Sequence, residues 1–372
     1  MQIVRLTLQD FRCFKNLEWS PASGLNLVTG ENGTGKTSLL EAMHLMAYGR
    51  SFRGRVRDGL VRQDAEALEV FVEWSEKGAG GSEAGESSAA GLRRAGMRHG
   101  GQNWTGRLDG RTVSQMGDLC AALAVVTFEP GSHSLISGGS EYRRRFMDWG
   151  LFHVEQTFLA LWRRYSRALK QRNALLKTKN TDMQLDVWDR ELSEAGEALT
   201  RHRQRYLDQL QERLLLLAPQ LSSSVEILSL EFSPGWRRQE MVLGDALLLS
   251  RDRDRQMGHT TTGPHRADWS LHFGSLPGRE ALSRGQAKLA ALSCLLSQAE
   301  DYAQRFGEWP VVVLDDLASE LDTRHQAHVL SYLQQRQAQT FITATEMLSM
   351  IDEVAPKYAL FHVEHGQLRS KA

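Results

Sequence analysis

The sequence predicts an α/β protein whose strand-and-helix domain is interrupted by a long helical insertion, and three observations predict it. A strand pattern at Leu25–Thr29 runs through glycine-rich residues straight into the apolar helix pattern of Leu39, Leu40, Met43 and Ala47. Residues 142–217 then turn helical, carry many arginines and lysines, and hold no proline before Pro219. Strand patterns return at 225–232, 269–273, Val311–Leu314 and 340–345, with a helix over 286–305 between them. Because the α/β pattern resumes after the helices, the helical unit is inserted rather than appended.

The remaining elements refine this division. Residues 3–8 and 68–74 alternate apolar and polar side chains, and 104–113 predicts a hairpin turning at Asp109-Gly110, so an antiparallel β subdomain follows the first helix. Residues 78–103, rich in Gly, Ser and Ala, predict an exposed loop or insertion. The expected domains are 1–135 plus 255–372 for the α/β head and 136–254 for the inserted helical arm.

Bulk composition excludes several classes. At 372 residues, with 41% hydrophobic and 24% charged residues, the chain has the composition of a folded globular protein of more than one structural unit. Its 45 basic and 45 acidic residues cancel, so contact with nucleic acid must come from a local patch. Cys13, Cys120 and Cys294 are far apart in sequence and form no CxxC pair, which argues against a disulfide framework or a zinc site and suits a reducing cytosol. The first residues lack the apolar core of a signal peptide, and no run approaches the ~20 apolar residues of a membrane helix, so a cytoplasmic protein with no membrane partner is expected.

The chemistry concentrates in three motifs. Gly30, Glu31, Asn32, Gly33, Thr34, Gly35, Lys36, Thr37 and Ser38 carry the GxxxxGK[ST] pattern between a strand and a helix, the context that motif requires. Glycines let the backbone curl its N–H groups toward phosphate oxygens, the helix N-terminus adds positive potential, Lys36 meets the β- and γ-phosphates of ATP, and Thr37 ligates Mg²⁺. Val311–Leu314 is an apolar run that delivers Asp315 and Asp316 to the carboxyl edge of a sheet. There Asp315 would hold Mg²⁺ and Asp316 would polarise the water that attacks the γ-phosphate, making Lys36, Asp315 and Asp316 the catalytic set.

The third motif, Leu282-Ser283-Arg284-Gly285-Gln286, resembles the LSGGQ signature of ABC-type ATPases, with Arg284 in place of the usual first glycine. That resemblance implies an ATP-sandwich dimer in which Ser283, Arg284, Gly285 and Gln286 cap the γ-phosphate held by a second protomer. The residue reading beside it is a helix N-cap at Ser283. Residues 318–322 are similar to the D-loop of such dimers, so Ser319 and Asp322 are interface candidates, Asp322 also standing where it would cap the next helix. Transporters of the class place a switch histidine where this chain has Thr345, and Glu129 stands where a glutamine loop would be sought.

Beyond these motifs the chain resembles the RecF family across nearly its whole length. The resemblance rests on residues 6–14, on Gly49-Arg50-Ser51-Phe52-Arg53, on Phe128-Glu129-Pro130, on residues 138–148 with Arg143, Arg144 and Arg145, and on Gly263-Pro264-His265-Arg266. It implies an ABC-type head with an antiparallel β subdomain and a helical arm, which dimerises on ATP, hydrolyses it slowly and binds duplex DNA near gaps and single-strand junctions. It also implies partnership with RecO and RecR in loading RecA. Candidate DNA contacts are Arg143, Arg144, Arg145, Arg163 and Arg164, with Arg167, Lys170 and Arg172 on the same helical stretch and Arg50, Arg53, Arg55 and Arg57 as alternatives. A charge run is also the ordinary solvated face of a helix. His265 reads first as a hydrogen-bonded structural residue, and no chemistry is assigned to it. The alternative functions are the nucleotide-binding subunit of an ABC transporter or another SMC-like ATPase, and a small-molecule kinase would leave the Ser283 motif unexplained.

Overall fold

The computed structural model describes residues 1–53, 59–76, 91–100, 103–178, 182–274, 278–279 and 282–371. The chain divides into one unit of Met1–Ser132, Gln220–Ser223 and Leu292–Ala372 and a second of His133–Pro219 and Ser224–Ala291. The first unit opens with β1 (Gln2–Phe11), β2 (Phe14–Trp19), β3 (Leu25–Thr29), α1 (Lys36–Tyr48), β4 (Leu68–Ser75), β5 (Leu92–Gly100), β6 (Asn103–Leu108), β7 (Arg111–Val113), α2 (Met116–Ala122) and β8 (Val125–Phe128). Next come α3 (Ser134–Ser137), α4 (Ser140–Val154), α5 (Phe158–Leu176), α6 (Asp182–Leu221), β9 (Ile227–Ser233), α7 (Leu243–Leu249), α8 (Arg251–Met257), β10 (Asp268–Phe273) and α9 (Arg284–Phe306). The chain closes with β11 (Val311–Leu314), α10 (Leu317–Glu320), α11 (Thr323–Gln335), β12 (Thr340–Ala344), α12 (Ile351–Val354), β13 (Tyr358–Glu364) and β14 (Gln367–Lys371).

Two sheets build the first unit. One is antiparallel, in the order β2-β1-β4-β5-β6-β7 among the described residues. Its strands follow a period of two: Leu68, Val70, Val72 and Trp74 of β4 are buried while Glu69 and Glu73 face outward. Asp109 and Gly110, at φ 50° and 82°, form the tight turn joining β6 to β7, as their sequence expects. The other sheet runs β14-β13-β3-β12-β11-β8, parallel except for β14. Strands β3, β11 and β12 are buried along their whole length, which explains why they read as continuous rather than alternating runs. The order sets β12 between β3, which leads into the glycine-rich loop, and β11, which leads into the two aspartates.

Two expectations need correction here. The stretch 78–103 is not all loop: residues 91–100 carry β5, whose Leu92–Ser75 to His99–Leu68 pairing completes the antiparallel sheet, and Asn103 begins β6. Only Ala95 and Met97 of β5 are buried, so its apolar alternation is too short to announce a strand. Residues 77–90 and 101–102 lie outside the described ones. The second unit also runs past residue 254 to Ala291. Strand β10 pairs antiparallel with β9, Arg143 forms a two-bond ion pair with Asp268, and Tyr165 bonds His265, all long-range partners that sequence proximity does not reveal.

The second unit holds charges inside a helical core. Leu192, Ala195, Leu199, Tyr206, Leu210 and Leu214 give α6 a buried stripe at helical spacing. Arg172 is fully buried, donating to Asp189, to Asp254 at 2.7 Å and to Thr260 at 2.9 Å. Arg203 is buried on Asp148 and the carbonyl of Pro264. His265 donates from Nε2 to the Thr260 carbonyl and accepts the Tyr165 hydroxyl on Nδ1, which fixes a neutral tautomer; burial pushes its pKa down to about 4. The GPHR motif is therefore a structural clasp in this unit. Removing one partner of a buried ion pair strands the others, so Arg172→Ala should lower stability by about 3–5 kcal/mol. Exposed Arg167→Ala should cost within about 0.5 kcal/mol, and equal denaturation midpoints for the two variants would contradict the buried assignment.

Candidate functional site

The glycine-rich loop leaves β3 and closes on α1. Gly30, Gly33 and Gly35 take φ values of 151°, 82° and 116°, which side chains on L-residues rarely adopt. At two of these positions space is also lacking. A Cβ on Gly30 would lie 2.5 Å from the Val363 carbonyl oxygen, and one on Gly35 would lie 2.5 Å from Cys13 Sγ and 3.0 Å from Phe14. The β1–β2 turn thus packs directly under the loop. Buried Glu41 of α1 anchors that turn, accepting Arg12 Nε at 2.9 Å and Nη2 at 2.6 Å as well as the Ser51 hydroxyl. Sequence reading missed Glu41; its clue was an acidic side chain directly between the apolar pairs Leu39-Leu40 and Ala42-Met43 of α1.

Lys36 begins α1 and arches back, donating from Nζ to the carbonyls of Gly30 at 2.7 Å and Glu31 at 2.8 Å. Burial lowers its pKa, while the charges of Asp316 and then Asp315 oppose that shift. Thr37 donates its hydroxyl to Asp315 Oδ1 at 2.9 Å. The same oxygen accepts the hydroxyl of Thr343, on β12, at 2.7 Å. Asp315 is 2% exposed, and its pKa is raised by burial, held back by those two hydroxyls and raised further by Asp316. The Asp316 N–H donates to Thr343 Oγ1 at 2.8 Å, and Asp316 itself takes φ 51°, ψ 45°. The structure therefore brings Lys36, Thr37, Asp315 and Asp316 together and adds Thr343, a polar residue in a buried apolar strand that the sequence reading passed over. Thr345 lies exposed just past β12.

Glu129 completes this edge. Its strand neighbour Phe128 pairs with Leu314 and accepts the Asp315 N–H at 2.8 Å, so Glu129 stands opposite Asp315. Burial pushes its carboxyl up to about 7, against a bond from the Gly131 N–H, with Asp315 and Glu320 raising it further. Chemically, the edge presents a helix N-terminus, an ammonium, a hydroxyl and hard carboxylate oxygens. Thr37 and Asp315 suit Mg²⁺, which takes few protein oxygens and completes its shell with phosphate and water. No cluster of three or more His, Cys, Asp or Glu side chains able to hold a metal occurs among the described residues.

The remaining motifs are placed as follows. In the second unit Ser283 caps α9 with a reciprocal pair of bonds: Ser283 N–H to Gln286 Oε1 at 2.9 Å and Gln286 N–H to Ser283 Oγ at 3.2 Å. Ser283, Arg284 and Gly285 are exposed, so the N-cap leaves the helix end open to solvent. In the first unit Ser319 is exposed, and Asp322 caps α11, accepting the His325 N–H at 3.0 Å and lying 2.7 Å from His325 Nδ1.

The basic candidates separate sharply, and two require correction. Arg143 is 2% exposed and bonded to Asp268 and three carbonyls, and Arg172 is wholly buried; both are structural. Arg144 is half-buried on Ser140 and the Ala267 carbonyl, Arg145 pairs with Glu141, and Arg164 pairs with Glu191 and Glu194. Arg163 is half-buried, whereas Arg167 and Lys170 are exposed on α5. Arg50 is half-buried and Arg53 exposed, 3.9 Å from Glu41; Arg55 and Arg57 lie outside the described residues.

The position of Glu129 generates a pH prediction. Its carboxyl rises from 4.5 to about 7 on folding, so its contribution to stability is full below about pH 4.5 and is lost as pH rises through about 7. Glu129→Gln should flatten that decline in the melting temperature, and an unaltered pH profile would place the effect elsewhere.

Comparison with known proteins follows the same lines. The family described as "RecF/RecN/SMC N terminal domain" matches residues 2–369. The DNA replication and repair protein RecF of Stenotrophomonas maltophilia (strain R551-3) is 64% identical over 368 residues, 99% of each chain. That of Xanthomonas oryzae pv. oryzae (strain KACC10331 / KXO85) is 62% identical over 372 residues, 100% of this chain and 99% of the relative. A solved structure of the recombination mediator protein RecF with ATP, of the RecFOR pathway, aligns at TM-score 0.84 and 25% identity, covering 100% of this chain and 98% of that one. An Smc head bound to the C-winged helix domain of ScpA shares the fold at TM-score 0.60 and 15% identity, over 100% and 98% of the two chains. The chain belongs to the RecF family of DNA replication and repair proteins, within the wider RecF/RecN/SMC group.

Proposed function

We propose that this protein is an ATP-dependent DNA-binding protein of recombinational repair and replication restart, a dimeric clamp that ATP closes on duplex DNA at single-strand gaps and junctions. The observation that carries the reading is the convergence of Lys36, Thr37, Asp315 and Asp316 at one sheet edge beside the glycine-rich loop. The relative solved with ATP has this fold over the whole chain, which supports ATP as the ligand.

In this reading the loop N–H groups and Lys36 hold the phosphates, and Lys36 exchanges its two loop carbonyls for phosphate oxygens. Mg²⁺, held by Thr37 and Asp315, would neutralise phosphate charge and fix the geometry of the γ-phosphate. Asp316 orients the attacking water. Ser283, Arg284, Gly285 and Gln286 of a second copy close over the γ-phosphate through the open N-terminus of α9, with Ser319 and Asp322 at the same junction. Hydrolysis is slow and releases the pair. Arg167 and Lys170, exposed on α5, are the proposed duplex contacts, with half-buried Arg163 beside them. RecO and RecR are the proposed partners, and loading of RecA is the proposed outcome.

The test is retention of a gapped duplex at fixed salt, with and without ATP and Mg²⁺. Wild type should bind more tightly with both, Lys36→Ala should lose the ATP effect, and Asp316→Asn should bind ATP and DNA while hydrolysing about 10²-fold or more slowly. Replacing Arg167 and Lys170 together should reduce the salt slope of binding by roughly 2. Duplex affinity indifferent to ATP would sink the clamp, and wild-type turnover in Asp316→Asn would move water activation to another residue.

A further inference from the structure

Thr343 presents a hydroxyl at 1% exposure, between buried Ile342 and Ala344, on a strand where Val would fit the same space. A buried hydroxyl is costly unless its bonds are made. Here both are: it accepts the Asp316 N–H at 2.8 Å and donates its one hydrogen to Asp315 Oδ1 at 2.7 Å. Each bond has a distinct consequence.

The first holds Asp316 in the left-handed region, a conformation an aspartate tolerates but does not prefer. That turn takes Asp316 out of the strand alternation, and of the two aspartates it is the one that acts more strongly on the Lys36 ammonium. The second bond holds Asp315 Oδ1 independently of Thr37, whose hydroxyl shares that oxygen at 2.9 Å. When the Thr37 hydroxyl turns to a cation, Thr343 remains as the bond that keeps Asp315 in place. The register explains why β12 supplies this group: Leu314 pairs with Ile342, so the next residue on each strand, Asp315 and Thr343, stand side by side.

We infer that Thr343 is a positioning residue of the nucleotide site, which through one hydroxyl orients both the cation-binding and the water-orienting aspartate. The inference rests on the ATPase reading of this edge. Thr343 is buried, and its hydroxyl acts through the two groups it bonds, Asp315 and Asp316.

Two substitutions in the full chain test it. Thr343→Val keeps shape and burial but removes the hydroxyl, and Thr343→Ser restores it. In nucleotide-free protein, amide hydrogen exchange at Asp316 should quicken about tenfold in Thr343→Val, the worth of one hydrogen bond, and return to the wild-type rate in Thr343→Ser. Affinity for ATP in EDTA should stay within about twofold of wild type, while affinity with Mg²⁺ should fall about tenfold in the Val variant alone. Turnover should drop about tenfold or more in Val and recover in Ser. Wild-type exchange in Thr343→Val would overturn the inference, as would Ser and Val variants that are equally impaired, since packing alone would then explain both. Absence of hydrolysis in the wild type would instead bring down the ATPase reading, and exchange at Asp316 would still decide whether Thr343 holds it.

Discussion

The arrangement of the first unit depends on a single buried carboxylate. Asp315 lies at the end of the fully buried apolar strand β11, where ionisation is opposed by burial and made possible by the hydroxyls it accepts. Those hydroxyls come from α1 and from β12, and its own N–H is taken by the end of β8. Satisfying one residue therefore ties four elements together. The sheet order makes this possible, because β12 lies between the strand that feeds the phosphate loop and the strand that ends in the aspartates. A site assembled this way is pre-organised: its groups are held by main-chain register rather than by flexible side chains.

The same chemistry, turned inward, shapes the second unit. Arg143, Arg172 and Arg203 are buried with carboxylate partners at Asp268, Asp189 and Asp254, and Asp148. Such pairs return little net stability, since desolvation offsets their attraction, but losing one partner is costly. They fix the approach of helices to the antiparallel β9–β10 pair and to the GPHR clasp. An arginine-rich helical segment is thus in part structural, and the cations left outward on α5 are fewer than the sequence displays.

Much of the fold and site was legible because its signals are local. The glycine loop, the apolar β11 and the S-x-x-Q cap of α9 each carry their chemistry within a few residues, so spacing alone locates them. What was not legible depends on partners distant in sequence. Arg143 and Arg172 look like their exposed neighbours until Asp268 and Asp254, 125 and 82 residues away, are brought beside them. Strand β5 offers only two buried apolar side chains and takes its structure from β4. Thr343 sits two residues before the Thr345 position that motif spacing indicates, and only the β11–β12 register shows that it faces Asp315. The steric need for glycine at position 35 likewise comes from Cys13 and Phe14, on a different turn of the chain.

The central claim is that nucleotide bound at this edge joins two copies of the chain on DNA. Sedimentation of the purified protein with and without ATP and Mg²⁺, each in the presence and absence of a gapped duplex, tests it most directly. The account predicts a monomer that doubles in mass only with ATP and Mg²⁺ and stays with the duplex in that state. A mass and a DNA retention that ignore ATP would contradict it.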